Sequence, residues 1–205
     1  MMKTRRRTSS LTSIFPSPAM ARLVVFFAVR PGGRFHLREL MRLARLPSAS
    51  LQAELRRLTE MGALRRQEDR GRAIFAADEA HPAWRGWLLL LRSCARPADV
   101  LREALVDAPG VEAAFVFGSA ARGDMRPDSD VDLFLVGSRD AQAHAGRVLS
   151  EAETLLGRSV DVVPYEPGEL AGRLRAGNAF VQRVLAGPRE WVCGDVGSLQ
   201  AMEAA

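Results

Sequence analysis

The sequence predicts an α/β fold in two parts: a helix-rich module closed by a β-hairpin, then a small mixed sheet flanked by helices. Three observations lead there. Apolar residues recur at helical spacing from Pro18 to Met61 and give way to two short strand-like runs around a polar turn. Beyond Ala113, short β-branched and aromatic runs alternate with helical stretches, as in sheets whose strands are joined by helices. The charge also changes sign: residues 1–97 hold 19 Lys+Arg against 7 Asp+Glu, a balance of +12, and residues 98–205 hold 10 against 17, a balance of −7, which together give the +5 of the whole. At 205 residues the chain is long enough for two small domains. We expect a disordered basic lead-in over 1–17, or a start codon assigned too early, then a first domain over 18–81, a connecting helix over 82–96 and a second domain over 97–205.

Taken in order, Pro18 to Arg30 reads as a helix with apolar Leu23, Val24, Phe26, Phe27 and Ala28, closed by Pro31-Gly32-Gly33. A second helix buries Phe35, Leu37, Leu40, Met41, Leu43 and Ala44 and is broken at Leu46-Pro47. Ser48 is then a natural N-cap for a third helix with Leu51, Leu55, Leu58 and Met61 inside, ended by Gly62. Ala63–Arg66 and Arg72–Ala76 read as strands joined by the polar hairpin Gln67-Glu68-Asp69-Arg70-Gly71. Pro82–Arg96, with Trp84, Trp87 and Leu88 to Leu91, is a connecting helix whose tryptophans are core rather than a ligand platform.

Pro97–Asp107 is a further helix, and Ala108-Pro109-Gly110 is the loop before the apolar run Ala113 to Phe117, a buried strand stopping at Gly118. Ser119 to Arg122 suits the first turn of a helix, whose start presents unpaired N–H groups ready for phosphate. Asp130-Val131-Asp132-Leu133-Phe134-Leu135-Val136 alternates, so Asp130 and Asp132 point to one strand face. Two carboxylates on one face suit a hard divalent cation, with Mg2+ the usual partner of substrate phosphates. After a helix over roughly Asp140–Leu156, Ser159-Val160-Asp161-Val162-Val163-Pro164 sets a third acidic residue inside a β-branched run. The tail reads as helices over Gly168–Ala176 and Asn178–Leu185, then a last strand at Glu190–Cys193.

Other chemistries fail on spacing. An EF-hand loop from Asp128 would need Gly where Leu133 stands and Glu where Arg139 stands. A P-loop would need Lys after Gly123, where Asp124 stands. Cys94 and Cys193 are too few for a disulfide framework or a zinc cluster, and both read as reduced thiols of a cytoplasmic protein. His36, His81 and His144 show no ligand spacing. The longest apolar stretches, Leu23–Val29 and Trp87–Leu91, fall far below the roughly 18–20 residues of a membrane span, so no membrane partner is expected. A solvated loop suits Asp124 and Asp128. It suits Asp130 and Asp132 poorly, because unpaired charge leading into an apolar strand is costly.

On these residues the N-terminal part resembles winged helix-turn-helix transcription regulators such as the ArsR-like families, the resemblance running from Phe35 to Ala77. It implies double-stranded DNA as partner, with the third helix presenting Ser48, Gln52, Arg56 and Arg57 to the major groove and Arg70 and Arg72 on the wing. The competing reading is an ordinary solvated arginine face on a docking or dimerisation module; a homodimer is expected in either case.

Gly118-Ser119, two residues, Arg122-Gly123, five residues, then Ser129-Asp130-Val131-Asp132-Leu133 resembles the minimal branch of the DNA polymerase β-like nucleotidyltransferase superfamily, with every fixed position of its pattern present. The resemblance implies an NTP, with ATP expected, whose triphosphate lies against Gly118, Ser119, Arg122 and Ser129. It implies Mg2+ (or Mn2+) held by Asp130, Asp132 and Asp161, the last also helping to deprotonate the incoming hydroxyl. Arg122 has a rival role as a surface partner of Asp124 or Asp128. The expected function is NMP transfer to a hydroxyl of a protein or other acceptor, coupled to DNA binding in an autoregulated toxin-antitoxin-like module. The alternative is a winged-helix regulator whose second domain only senses nucleotide. Antibiotic adenylylation is disfavoured, since the winged helix stands where an acceptor-binding domain would be.

Overall fold

The structure, a computed structural model, describes residues 15–126 and 129–199. The chain divides between Arg96 and Pro97 into two compact units. The lead-in expected over 1–17 lies outside the described residues as far as 14. Its last three residues belong to the fold: Phe15 is buried, and the Ser17 hydroxyl caps the first helix by accepting from the Met20 N–H at 2.9 Å.

In the N-terminal unit α1 (Pro18–Ala28) is apolar apart from Arg22 and therefore central, with Leu23, Val24, Val25, Phe26 and Phe27 at most 1 % exposed. Phe35 packs edge-on against Phe26 and Phe27, at ring-centroid distances of 4.9 and 5.9 Å. That contact corrects the sequence reading. Phe35 opens no helix but sits in β1 (Arg34–His36), paired with Phe75 of a later strand, and α2 (Leu37–Ala44) starts two residues on. Ser48 likewise does not cap α3 (Ser48–Glu60). Pro47 takes the cap position with an extended backbone, and the Ser48 hydroxyl accepts instead from the Gln52 side chain at 3.0 Å.

The hairpin is tighter than expected. β2 (Leu64–Asp69) and β3 (Arg72–Ala77) pair up to Asp69 opposite Arg72, leaving a two-residue turn of Arg70 and Gly71, both at positive φ (48° and 75°). Positive φ at both positions is what matches the twist of paired strands. The three strands form an antiparallel sheet in the order β1-β3-β2. In α4 (Pro82–Cys94), Trp84 is buried and its indole N–H donates to the Ala63 carbonyl at 2.9 Å. Truncating it to alanine should cost about 3–5 kcal/mol.

The C-terminal unit opens with α5 (Pro97–Ala104) and a single 3-10 turn (Leu105–Asp107). There follow β4 (Val111–Val116), α6 (Gly118–Arg122), β5 (Val131–Gly137), α7 (Arg139–Leu156), β6 (Val160–Tyr165), α8 (Pro167–Arg175), α9 (Ala179–Ala186) and β7 (Glu190–Cys193). The sheet is mixed, in the order β6-β5-β4-β7, with only β5 and β6 parallel, and α7 is the crossover that this pair requires. β5 is central and apolar on both sides. Pro164 does not end β6, because β6 is an edge strand and can spare one N–H.

Cross-strand register sorts the faces. Asp132, Phe134 and Val136 of β5 share a face with Asp161, Val163 and Tyr165 of β6 and with Phe115 of β4. Phe115 and Phe134 stack at 4.9 Å and 10°, and Leu170, Val181 and Val184 from α8 and α9 close over them. α5 and α7 pack on each other and on β4 and β5. Core burial therefore ends where β5 and β6 begin and β4 stops, which is where the aspartates stand.

Candidate active site

In β5 and β6 the register sets Asp132 directly opposite Asp161. Adjacent parallel strands lie about 4.8 Å apart, so two residues in register on one face have neighbouring carboxyls. Asp130 immediately precedes β5 and is exposed, Asp161 is exposed, and Asp132 is half-buried. β4 reaches the same place: the Phe117 N–H donates to the Asp132 carbonyl at 3.0 Å, and the next residue is Gly118.

Gly118 is required on two counts. Its φ is +66°, and a Cβ built there would lie 2.0 Å from the Asp132 Oδ2 and 3.0 Å from its Cγ. The bare Cα is what lets the glycine turn sit against the carboxylate, with Ser119 next to it in α6. The sequence pattern of a glycine turn followed at a distance by aspartates is thus one spatial feature.

Electrostatics mark Asp132. Burial, then the Asp161 carboxylate, raise its pKa above the ordinary carboxylate value; the Arg122 guanidinium opposes this, and Asp130 adds a smaller upward push. Asp161, Arg122 and Asp130 therefore all act on Asp132. Arg122 also bonds Asp124, Nε to Oδ2 at 3.2 Å, with both side chains more than half exposed, which is the surface pairing with Asp124 read from sequence. Ser129 lies just before Asp130, and its hydroxyl accepts from the Arg126 N–H at 3.2 Å.

Like charges crowded on one face suit a divalent cation: the donors are hard oxygens, and a positive ion would relieve the repulsion that raises Asp132. Even so, among the described residues no three His, Cys, Asp or Glu side chains are gathered into a set that could hold a metal ion.

The arginines singled out in the N-terminal unit are arranged differently. Ser48, Gln52 and Arg56 fall one turn apart along α3, with Arg56 Nε 3.9 Å from Glu60. Arg57 lies beside them, 3.7 Å from Glu54, which itself accepts from the Ser17 hydroxyl at 2.6 Å. Arg70 and Arg72 are exposed at the hairpin tip. Between α3 and the hairpin runs a groove of about 630 Å3, lined among others by Gln52, Arg56, Arg66, Ala73 and Phe75.

Sequence reasoning missed Arg158. Its Nη1 donates to the carbonyls of Arg126 at 2.6 Å and Ser129 at 3.2 Å. The available signal was a cation standing three residues before Asp161, at the helix-to-strand junction.

Residues 98–185 match the family profile described as "Nucleotidyltransferase domain", which makes this part of the chain an enzyme domain. Two solved structures align with part of the chain. One is a toxin-antitoxin crystal structure with AMP-PNP, 18 % identical, covering 50 % of this chain and 77 % of that one at a TM-score of 0.35. The other is a mutant of the toxin-antitoxin MntA-HpeT, 15 % identical, covering 52 % and 81 % at a TM-score of 0.37. Among curated proteins no match is found. No helix of the described residues is long and apolar enough to cross a membrane.

Proposed function

We propose that this nucleotidyltransferase moves NMP, with ATP the preferred donor, to a hydroxyl of a protein or other acceptor, and that it depends on Mg2+. The observation that carries the reading is Asp132 opposite Asp161 in register, above a glycine whose missing Cβ leaves room for the carboxylate. Asp130, Asp132 and Asp161 would hold the ion. When bound it would neutralise phosphate charge and favour in-line displacement at the α-phosphorus.

The chain's own groups divide the remaining work. Gly118 and Ser119 offer close backbone approach to the triphosphate, and Arg122 stands near enough to Asp132 to act on it and to meet phosphate oxygens. The acceptor oxygen forms a bond to the α-phosphorus while the bond to the β-bridging oxygen breaks, and pyrophosphate leaves. Asp161, exposed and beside Asp132, takes the hydroxyl proton.

We further propose that residues 18–81 are a winged helix-turn-helix that binds double-stranded DNA. Three helices, a hairpin and the strand order β1-β3-β2 support this, as do exposed arginines on α3 and at the hairpin tip. A second reading, a regulator that senses nucleotide without transfer, draws on the carboxylates not being gathered into a cation-holding set. Incubation with each α-labelled NTP, Mg2+ and cell lysate separates the two. Transfer predicts label on a protein, RNA or small molecule together with pyrophosphate, whereas retention of intact NTP by the protein supports sensing.

A further inference from the structure

We propose that Arg158 is a positioning residue of the transfer site, fastening the segment that carries Asp130 to the start of the strand that carries Asp161. The proposal rests on the function proposed above. One guanidinium nitrogen donates to two carbonyl oxygens, those of Arg126 and Ser129, on either side of residues 127 and 128. Ser129 is followed by Asp130, and the next N–H, that of Val131, donates to the Ser159 carbonyl at 2.9 Å. The backbone around Asp130 is therefore held on both sides by consecutive residues, Arg158 and Ser159, which lie three and two positions before Asp161.

What remains without Arg158 shows what it adds. The Ser129 N–H donates to the Arg126 carbonyl at 3.2 Å, and the Arg126 N–H donates to the Ser129 hydroxyl at 3.2 Å. Those two bonds join Arg126 to Ser129 but tie neither to β6. The junction that bears Arg158 is itself fixed: Gly157 takes the left-handed cap of α7, its N–H donating to the Glu153 carbonyl at 2.7 Å, and the Glu153 carboxylate accepts from the Val160 N–H at 2.7 Å. The junction thus holds one charged guanidinium nitrogen against two neutral carbonyls, a charge-assisted arrangement stronger than ordinary backbone pairing. Asp130 is exposed, so its position relative to Asp132 and Asp161 depends on that backbone restraint. Groups that orient ligands in this way typically change metal affinity by about 10–100-fold when removed.

The test uses the full chain, with Mn2+ as probe, and compares wild type with Arg158→Met and Arg158→Lys. Mn2+ dissociation constants, amide hydrogen exchange at Ser129 and Val131, and melting temperature are measured on each. We expect Arg158→Met to weaken Mn2+ binding roughly 10-fold and to speed exchange at those two amides, with an unchanged melting temperature. Arg158→Lys, able to reach one carbonyl, should fall between. Unchanged Mn2+ affinity and exchange in Arg158→Met would overturn the proposal, as would a loss of affinity accompanied by global destabilisation. If Arg158→Met does not fold, Arg158→Lys decides, and wild-type values there overturn the proposal. A wild-type protein that binds Mn2+ but transfers no nucleotide sinks the proposed function and leaves Arg158 to be judged by affinity and exchange alone. A wild-type protein that binds no Mn2+ overturns both.

Discussion

In the N-terminal unit the arginines of α3 and the hairpin are spread over exposed positions, and several have an acid within reach: Arg56 with Glu60, Arg57 with Glu54, Arg65 with Asp78. In the C-terminal unit three aspartates are brought to one end of one sheet face, with Arg122 the nearby cation that acts on Asp132. Exposed pairs of the first kind contribute little, about 0–1 kcal/mol each, and are compatible with a DNA surface or with plain solvation. Crowding of the second kind works against the fold and persists only where strand register and a glycine impose it. A concentration of unfavourable charge is therefore the sharper mark of chemistry, and a net charge of +12 over residues 1–97 the blunter one.

The comparison breaks first at Asp132. Replacing Asp132 or Asp130 with Asn should lower Mg2+-dependent pyrophosphate release by on the order of 10³-fold with the fold intact by circular dichroism. Unchanged turnover would show the crowding to be incidental. Asp161→Ala should reduce kcat by about 10²-fold or more and raise the KM for ATP by a smaller factor, as loss of a base that also helps to hold the cation requires. Equal losses in both would leave Asp161 its cation-holding role and remove its role as base. Gly118→Ala drives a methyl into the Asp132 carboxylate, and a displacement of about 1 Å there should cost roughly 10²-fold in kcat/KM.

A smaller effect tests the other unit. Replacing Arg70 and Arg72 with Ala should reduce the slope of log affinity for duplex DNA against log salt by about 2, across unrelated sequences. An unaltered slope would assign both to a solvated face. The smallest effect concerns pH. The folded pKa of Asp132 lies above its unfolded value, so its favourable contribution is fully present below the ordinary carboxylate range and is lost as pH rises through the folded value. Asp132→Asn should therefore raise the melting temperature at pH 7 by about 1–3 °C, with the gain disappearing below about pH 4. Thermal scans at both pH values check it, and equal shifts would assign the gain to something other than charge.

The legible parts of the molecule were those written in short stretches. Asp130-Val131-Asp132 alternates as a strand must, and Ser159 to Val163 is β-branched around Asp161, so both strands could be read directly. β1 could not be, because Phe35 becomes a strand residue by pairing with Phe75, forty positions away, and by packing on Phe26 and Phe27. The hairpin was misjudged because Arg70 adopts positive φ, which sequence assigns to glycine. Arg158 escaped notice because its partners lie 29 and 32 residues away and are backbone carbonyls, which leave no trace in side-chain composition.

The central claim is that Asp130, Asp132 and Asp161 together form one cation site beside Gly118. Paramagnetic broadening of backbone amide signals during a Mn2+ titration tests it directly. The account predicts that Gly118, Ser119, Asp130, Asp132 and Asp161 broaden first and together, and that Asp132→Asn abolishes the effect. Broadening that begins elsewhere, or that survives in Asp132→Asn, would contradict it.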